Sequence, residues 1–314
     1  MSDGLAQLRH TMASAGDLQS VVRTMKALAA ASIGQYEQSV RALAQYHHTV
    51  ALGLGACLRA QAAAAPKTEA GPPRRTVAIV FGSDQGLVGQ FNESIASHVQ
   101  RTLSATPAPV SVWAVGERVQ VRLRDAGLDA GPALTVPQSV KGITPLVGEI
   151  LLQAVRLTQA QEASELFLFH NRPVSGSVCE PVVQRLLPLD ARWRDAMVGV
   201  PWPTRNPPQV VCGGGVTLRV LIGEYLFVSL FRACAESLAS ENASRLAAME
   251  RADRNISELQ GDLSGRFNRL RQSRIDEELF DVISGFEALA SGEAAAPSDA
   301  TETAQAQTRS NGPR

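Results

Sequence analysis

The feature that most limits how this chain can fold lies at its two ends. No proline occurs from Leu5 to about Ala65, and none from Val216 to Ala296. A proline inside a helix removes a hydrogen bond and clashes with the preceding turn, so both stretches are free of the commonest helix breaker. In the first, apolar residues recur in steps of three and four: Leu5, Leu8, Met12, Ala15, Leu18, Val22, Met25, Ala29. They continue as Ile33, Tyr36, Val40, Leu43, His47, Val50, Leu54 and Cys57. In the second they run Leu246, Met249, Asp253, Ile256, Leu259, Leu263, Phe267, Leu270, and then Ile275, Leu279, Val282, Phe286, Leu289. This is the a/d spacing of a coiled-coil seam. The step from Ala29 to Ile33 reads as a stutter, which locally unwinds a supercoil. At helical rise the first segment spans about 80 to 90 Å and residues 217–289 about 110 Å. A globule of this chain length is only about 50 Å across. The two helices are therefore expected to cover each other's stripes as an antiparallel pair. The longer C-terminal helix projects beyond its partner, and its apolar stripe there implies another protein around it.

The middle is of a different kind. Residues 76–81 form a buried-strand run, followed by the turn residues Gly82, Ser83 and Asp84. A helix is expected from Asn92 to about Ser104, a second strand over 110–115 and a helix from Glu117 to Asp125, stopped by Gly127. Another helix falls within 139–159, and residues 166–169 form a third strand. The βαβαβ order predicts a small parallel sheet flanked by helices. Pro66, Gly71, Pro72 and Pro73 mark a linker, and Pro207, Pro208 and Gly213 to Gly215 break structure before the last segment. The resulting division is a helix over 1–65, a linker over 66–75, a Rossmann-like α/β domain over 76–212, a helix over 213–290 and a disordered tail over 291–314. The fold class is α/β, with a long antiparallel α-helical coiled coil made by the ends.

Composition narrows the function classes. Thirty basic residues balance thirty acidic ones. A general nucleic-acid binder usually carries a basic excess, and zero net charge favours a subunit held in a complex. Aromatics are only 5% of the chain against 45% hydrophobic, which suits packed helices. Cys57, Cys179, Cys212 and Cys234 are scattered, without metal-ligand spacing, so no zinc site, no disulfide framework and a reducing compartment are expected. No charge-free apolar run approaches the length of a membrane span, and Asp3 and Arg9 flank no signal-peptide core.

Few residues point to chemistry. The segment Gly82-Ser83-Asp84-Gln85-Gly86-Leu87-Val88-Gly89 sits between a strand and a helix, where phosphate loops occur. It has neither the spacing of a phosphate loop nor a lysine, and a tight turn that needs glycine explains Gly82, Gly86 and Gly89. His47 falls in the apolar seam and His48 points aside. Arg266, Arg269, Arg271 and Arg274 precede Asp276, Glu277, Glu278 and Asp281, which fits a salt-bridged helix face and a partner-docking surface equally. No nucleophile–base arrangement is apparent.

Three stretches together resemble the gamma subunit of F-type ATP synthases. The first is Leu8-Arg9, Leu18-Gln19 and Arg23-Thr24-Met25-Lys26-Ala27-Leu28-Ala29-Ala30. The second is Ser83-Asp84-Gln85-Gly86-Leu87-Val88-Gly89-Gln90-Phe91-Asn92, similar to that family's S-D-R-G-L-C-G-x-F-N. The third is Glu236-Ser237-Leu238-Ala239-Ser240-Glu241-Asn242-Ala243-Ser244-Arg245, continuing into Phe267-Asn268-Arg269-Leu270-Arg271-Gln272 and Ile283-Ser284-Gly285. Gln85 and Val88 replace a basic residue and a cysteine, Asp17, Leu18 and Ser20 depart from N-T-Q-K, and Asp276 replaces a threonine. These departures place the chain in a divergent branch, such as the alternate F-type ATPases some bacteria carry.

The resemblance implies a non-catalytic central shaft that turns inside a ring of three alpha and three beta subunits. The α/β domain would rest on the epsilon subunit and the membrane c-ring, at the cytoplasmic face of a bacterial inner membrane. It implies no cofactor, no metal and no catalytic residue here, and a coupling ion, proton or sodium, chosen elsewhere. Carried over position by position, Met25, Lys26, Glu241, Arg245, Arg271 and Gln272 are expected to contact the alpha/beta ring. Gly82, Asp84, Gly86 and Gly89 are expected to shape the turn of the α/β domain. A nucleotide-dependent α/β enzyme and a coiled-coil scaffold without a motor role remain the alternatives.

Overall fold

The computed structural model describes residues 2–61, 75–106, 108–159, 165–174, 179–206, 208–210 and 213–293. The elements in chain order are α1 (Ser2–Gln61), β1 (Thr76–Phe81), α2 (Phe91–Leu103), β2 (Val110–Val115) and α3 (Glu117–Asp125). They continue with α4 (Val140–Gln159), β3 (Glu165–Pro173), β4 (Cys179–Leu187), α5 (Ala191–Val198) and α6 (Gly214–Glu293). The expected linker over 66–75 lies outside the described residues except for Arg75. So does the tail beyond Glu293, where α6 is last described.

The chain divides into two compact units, Met1–Gln19 with Asn255–Arg314, and Ser20–Arg254. In the first, α1 and α6 run antiparallel. The Arg9 guanidinium lies 5.3 Å from the centre of the Phe267 ring, and Gln19 Nε2 donates to Ser257 Oγ at 3.0 Å. Ala15 and Leu263 are buried.

In the second unit α1 and α6 are again antiparallel. Tyr46 Oη donates to Glu224 at 2.7 Å, His47 packs on Tyr225, and Arg23 meets Asp253 at 3.7 Å. A four-stranded sheet in the order β2-β1-β3-β4 packs against them. β1 pairs in parallel with β2 and β3, with Ile79 opposite Trp113 and Leu168. Alternation along β1 feeds two apolar layers, as the strand period of two requires. Val77, Ile79 and Phe81 join α4, β3 and the Tyr225–Ala239 stretch of α6. Ala78 and Val80 face the layer made by Ile95 and Val99 of α2 and by Val119 and Leu123 of α3.

Three expectations need correction. The sheet is not all parallel: β4 pairs antiparallel with β3, His170 opposite Val182, and neither β4 nor α5 was expected. Glu180, Pro181, Gln184 and Arg185 hide the strand, because an edge strand with one solvated face and an internal proline has no continuous apolar signature. The stutter in α1 is absent. Leu18 is 59% exposed, whereas Gln19 is half-buried, as are Val22 and Lys26. With Gln19 and Lys26 on the seam, steps of three and four alternate without interruption from Leu5 to Cys57. The same slip occurs on α6, where Leu259 is exposed and Gln260 takes the inward position. Finally, α6 holds an 18-residue window of mean hydropathy 1.4, long and apolar enough by composition to cross a membrane. Charged side chains interrupt it, so it is not a charge-free run. Its apolar residues include Val228 and Leu230, which are core residues of this chain.

Candidate partner interface

The Ser83–Asn92 segment is a clasp. Asn92 Oδ1 accepts from the Ser83 backbone N–H at 3.1 Å, and Asn92 Nδ2 donates to Ser83 Oγ at 2.8 Å. Asp84 reaches across the domain. Its Oδ1 accepts from the N–H of Glu117 at 3.0 Å and its Oδ2 from the N–H of Val136 at 2.9 Å. A carboxylate therefore already occupies the amide end of α3, where a helix attracts an anion. Gly82 is required by packing, since a Cβ there would lie 2.2 Å from Val119. Gly89 has φ of 61°, a left-handed conformation that glycine adopts freely. Gly86 meets neither constraint: a Cβ there would touch nothing within 4 Å. Leu87, at φ 63°, is 61% exposed at the tip of the turn.

Glu241 and Arg245 do not stand on open surface. They pair one helical turn apart at 2.7 Å, with only 8% and 14% of their side chains exposed. They line a cleft of about 90 Å³ with Ser32 and Tyr36 of α1, Asp84 and Gln85 of the clasp, and Gln138. Burial pushes the Glu241 carboxyl up, helped by the charge of Asp84 and opposed by Arg245. Burial and the same carboxylate raise Tyr36.

A second polar cluster was not anticipated. His170, within β3, meets Glu236 of α6 at 2.9 Å, and Arg232 Nε donates to the other oxygen of Glu236 at 2.7 Å. Burial raises the Glu236 carboxyl, but these two partners outweigh it and hold the group below the usual carboxylate range. Ser240 Oγ donates to the Asn171 carbonyl at 3.0 Å. The signal was present as four polar residues, Glu236, Ser237, Ser240 and Glu241, on one face of the otherwise apolar stretch 233–241 of α6.

The remaining carried-over residues are nearer solvent. Met25 and Lys26 are half-buried, and the Lys26 ammonium lies 3.8 Å from Asp253. With Leu18 and Lys26 placed correctly, Leu18, Val21 and Leu28 stand exposed at 59%, 54% and 64%, with Met25 between them. Val21, Met25 and Leu28 recur in steps of four and three, so within the second unit α1 carries an outward apolar stripe. On α6, Arg271 and Gln272 are exposed, and so is every described residue from 271 to 287. Ile275, Leu279, Phe280, Val282, Ile283 and Phe286 are among them. Of the charge run, Arg274 pairs with Glu278 at 3.0 Å. His47 sits in the seam, its pKa lowered by burial and by nearby Arg232 and His48.

A family model described as ATP synthase matches residues 4–289. The ATP synthase gamma chain of Syntrophus aciditrophicus (strain SB) is 28% identical over 294 residues, covering 92% of this chain and 99% of that one. The ATP synthase gamma chain of Anaeromyxobacter sp. (strain Fw109-5) is 28% identical over 303 residues, covering 91% and 99%. Among solved structures, a chain of the Tetrahymena thermophila mitochondrial ATP synthase central stalk and c-ring aligns with TM-score 0.55 at 24% identity, covering 74% of this chain and 99% of that one. A chain of the Euglena gracilis mitochondrial ATP synthase rotor aligns with TM-score 0.60 at 15% identity, covering 88% and 100%.

Proposed function

This chain belongs to the ATP synthase gamma-chain family, and from that premise we propose that it is the central shaft of a bacterial F-type ATP synthase, turning within a ring of alpha and beta subunits. The gamma subunit is non-catalytic. Its work is mechanical: an asymmetric rod inside a threefold ring touches the three catalytic sites differently and biases each toward a different conformation. The observation that carries the reading is the run of exposed apolar residues on α6 from Ile275 to Phe286. A contiguous exposed apolar surface marks a protein interface, and an alpha/beta ring would supply its cover. The outward stripe of Val21, Met25 and Leu28 is the second surface for that ring, and the exposed Leu18 of the first unit is a further apolar contact. Lys26, Arg271 and Gln272 add polar contacts beside these surfaces, and an arginine fork can meet a carboxylate through two hydrogen bonds. The α/β domain is assigned to the epsilon subunit and the c-ring, at the cytoplasmic face of the inner membrane. The coupling ion, proton or sodium, belongs to the c-ring.

Affinity purification of the tagged chain from cells that express the whole complex tests this. Alpha, beta, epsilon and c subunits co-purifying in an ATP-hydrolysing particle support it. Recovery of the folded chain alone, under conditions that keep a control ATP synthase intact, contradicts it.

A further inference from the structure

Arg232, Glu236, Ser240 and Ser244 follow one another in steps of four along α6, so they form one ridge of the helix. That ridge grips the sheet at successive turns. Glu236 accepts from His170 Nε2 at 2.9 Å, and Ser240 Oγ donates to the carbonyl of the next strand residue, Asn171, at 3.0 Å. Ser244 Oγ lies 3.7 Å from Cys179 Sγ at the start of β4. Arg232 braces the row through the second oxygen of Glu236, at 2.7 Å. Glu236 and Ser240 are both buried, where a hydrogen bond is electrostatically stronger than in water. The contacts continue into the domain. The buried Asn171 donates through Nδ2 to the Phe91 carbonyl at 3.1 Å. Its neighbour in sequence, Asn92, is the residue that fastens Ser83. Hydrogen bonds therefore lead from α6 through β3 to the first turn of α2 and the clasp.

From this geometry we propose that Glu236 is the positioning residue that locks α6 to the α/β domain against twist, with Ser240 as the second point of the lock. The proposal rests on the rotary reading: torque taken up by α6 has to pass into the domain. Leu230, Cys234 and Leu238 also hold α6 to the sheet, but apolar attraction is non-directional. A hydrogen bond weakens steeply once its angle is lost. A small turn of α6 about its own axis slides the apolar contacts and breaks the bonds of Glu236 and Ser240. Two grips one helical turn apart, on consecutive residues of one strand, oppose that turn directly. A further polar tie from a long helix, Arg59 to the Val198 carbonyl at 2.7 Å, is exposed and reaches the end of α5 rather than a strand.

The test is the thermal angular fluctuation of a bead on the α/β domain, in complexes whose alpha/beta ring is fixed to a surface and whose rotation is paused by withdrawing ATP. Glu236→Ala should widen the angular distribution, and adding Ser240→Ala should widen it further. Glu236→Gln should regain part of the wild-type width, because an amide can accept from Arg232 and donate to the other tautomer of His170. Ile95→Val, which loosens the apolar layer on the other face of the sheet without touching the row, should leave the width unchanged. Circular dichroism checks that each variant is folded, and Ser240→Ala alone carries the same expectation if Glu236→Ala does not fold. A wild-type width in the folded Glu236→Ala or Ser240→Ala complexes, or an equal widening by Ile95→Val, would overturn the lock while wild-type rotation leaves the rotary reading intact. A wild-type complex that hydrolyses ATP without rotating would overturn both.

Discussion

At the scale of single residues, the motifs that identify the family mainly hold this chain together. Asn92 and Asp84 fasten the turn, Glu236 and Ser240 fasten α6 to β3, and Glu241 holds Arg245. Gly82→Ala should destabilise the chain by about 3 kcal/mol, because a new methyl would overlap Val119 in a packed layer. Gly86→Ala, in open space, should change stability by less than about 0.5 kcal/mol. Urea unfolding of the two variants separates them. Acid should act through Glu236. Its folded pKa lies below its unfolded one, so between the two the unfolded chain binds more protons. The stability it contributes is complete above the ordinary carboxylate value and is lost as pH falls through the folded value. Glu241 has the opposite sign, since its raised pKa costs stability as pH climbs through it. Urea midpoints measured from pH 3 to 7 should show the deficit of Glu236→Gln shrinking toward acid, while Glu241→Gln gains on the wild type toward neutral.

At the scale of elements, the two long helices and most of the sheet were legible because period and length are local properties. β1, β2 and α3 were placed to the residue, since each is bounded by turn residues and carries an unbroken pattern. What was not legible depends on distant partners. β4 exists by pairing with β3, and its own residues lack a strand pattern. The hydrogen bond between His170 and Glu236 joins residues 66 apart. The seam was misread at Leu18 and Leu259 because hydrophobicity ranks leucine above glutamine. Gln19 is accommodated inward by a hydrogen bond to Ser257, which only the paired helix supplies. Cysteine crosslinking reads the register directly. Gln19→Cys with Ser257→Cys should form a disulfide readily under mild oxidation, and Leu18→Cys with Leu259→Cys should not. The reverse pattern would restore the seam read from the sequence.

At the scale of the whole molecule, this chain is the shaft of a rotary ATPase. Its exposed apolar residues on α6 and on the outer stripe of α1 are then surfaces designed to be covered. Replacing Leu18, Val21 and Leu28 by serine should leave the isolated chain folded, because none of them lies in the core, and should weaken its assembly with alpha and beta subunits. Circular dichroism and subunit ratios after gel filtration would read the two effects. The most direct measurement is single-molecule rotation of the reconstituted alpha/beta ring, fixed to a surface, with a bead on the α/β domain of this chain. Unidirectional rotation in 120° steps on addition of ATP is expected, as threefold symmetry requires. A ring that hydrolyses ATP with this chain bound but shows no rotation would contradict it.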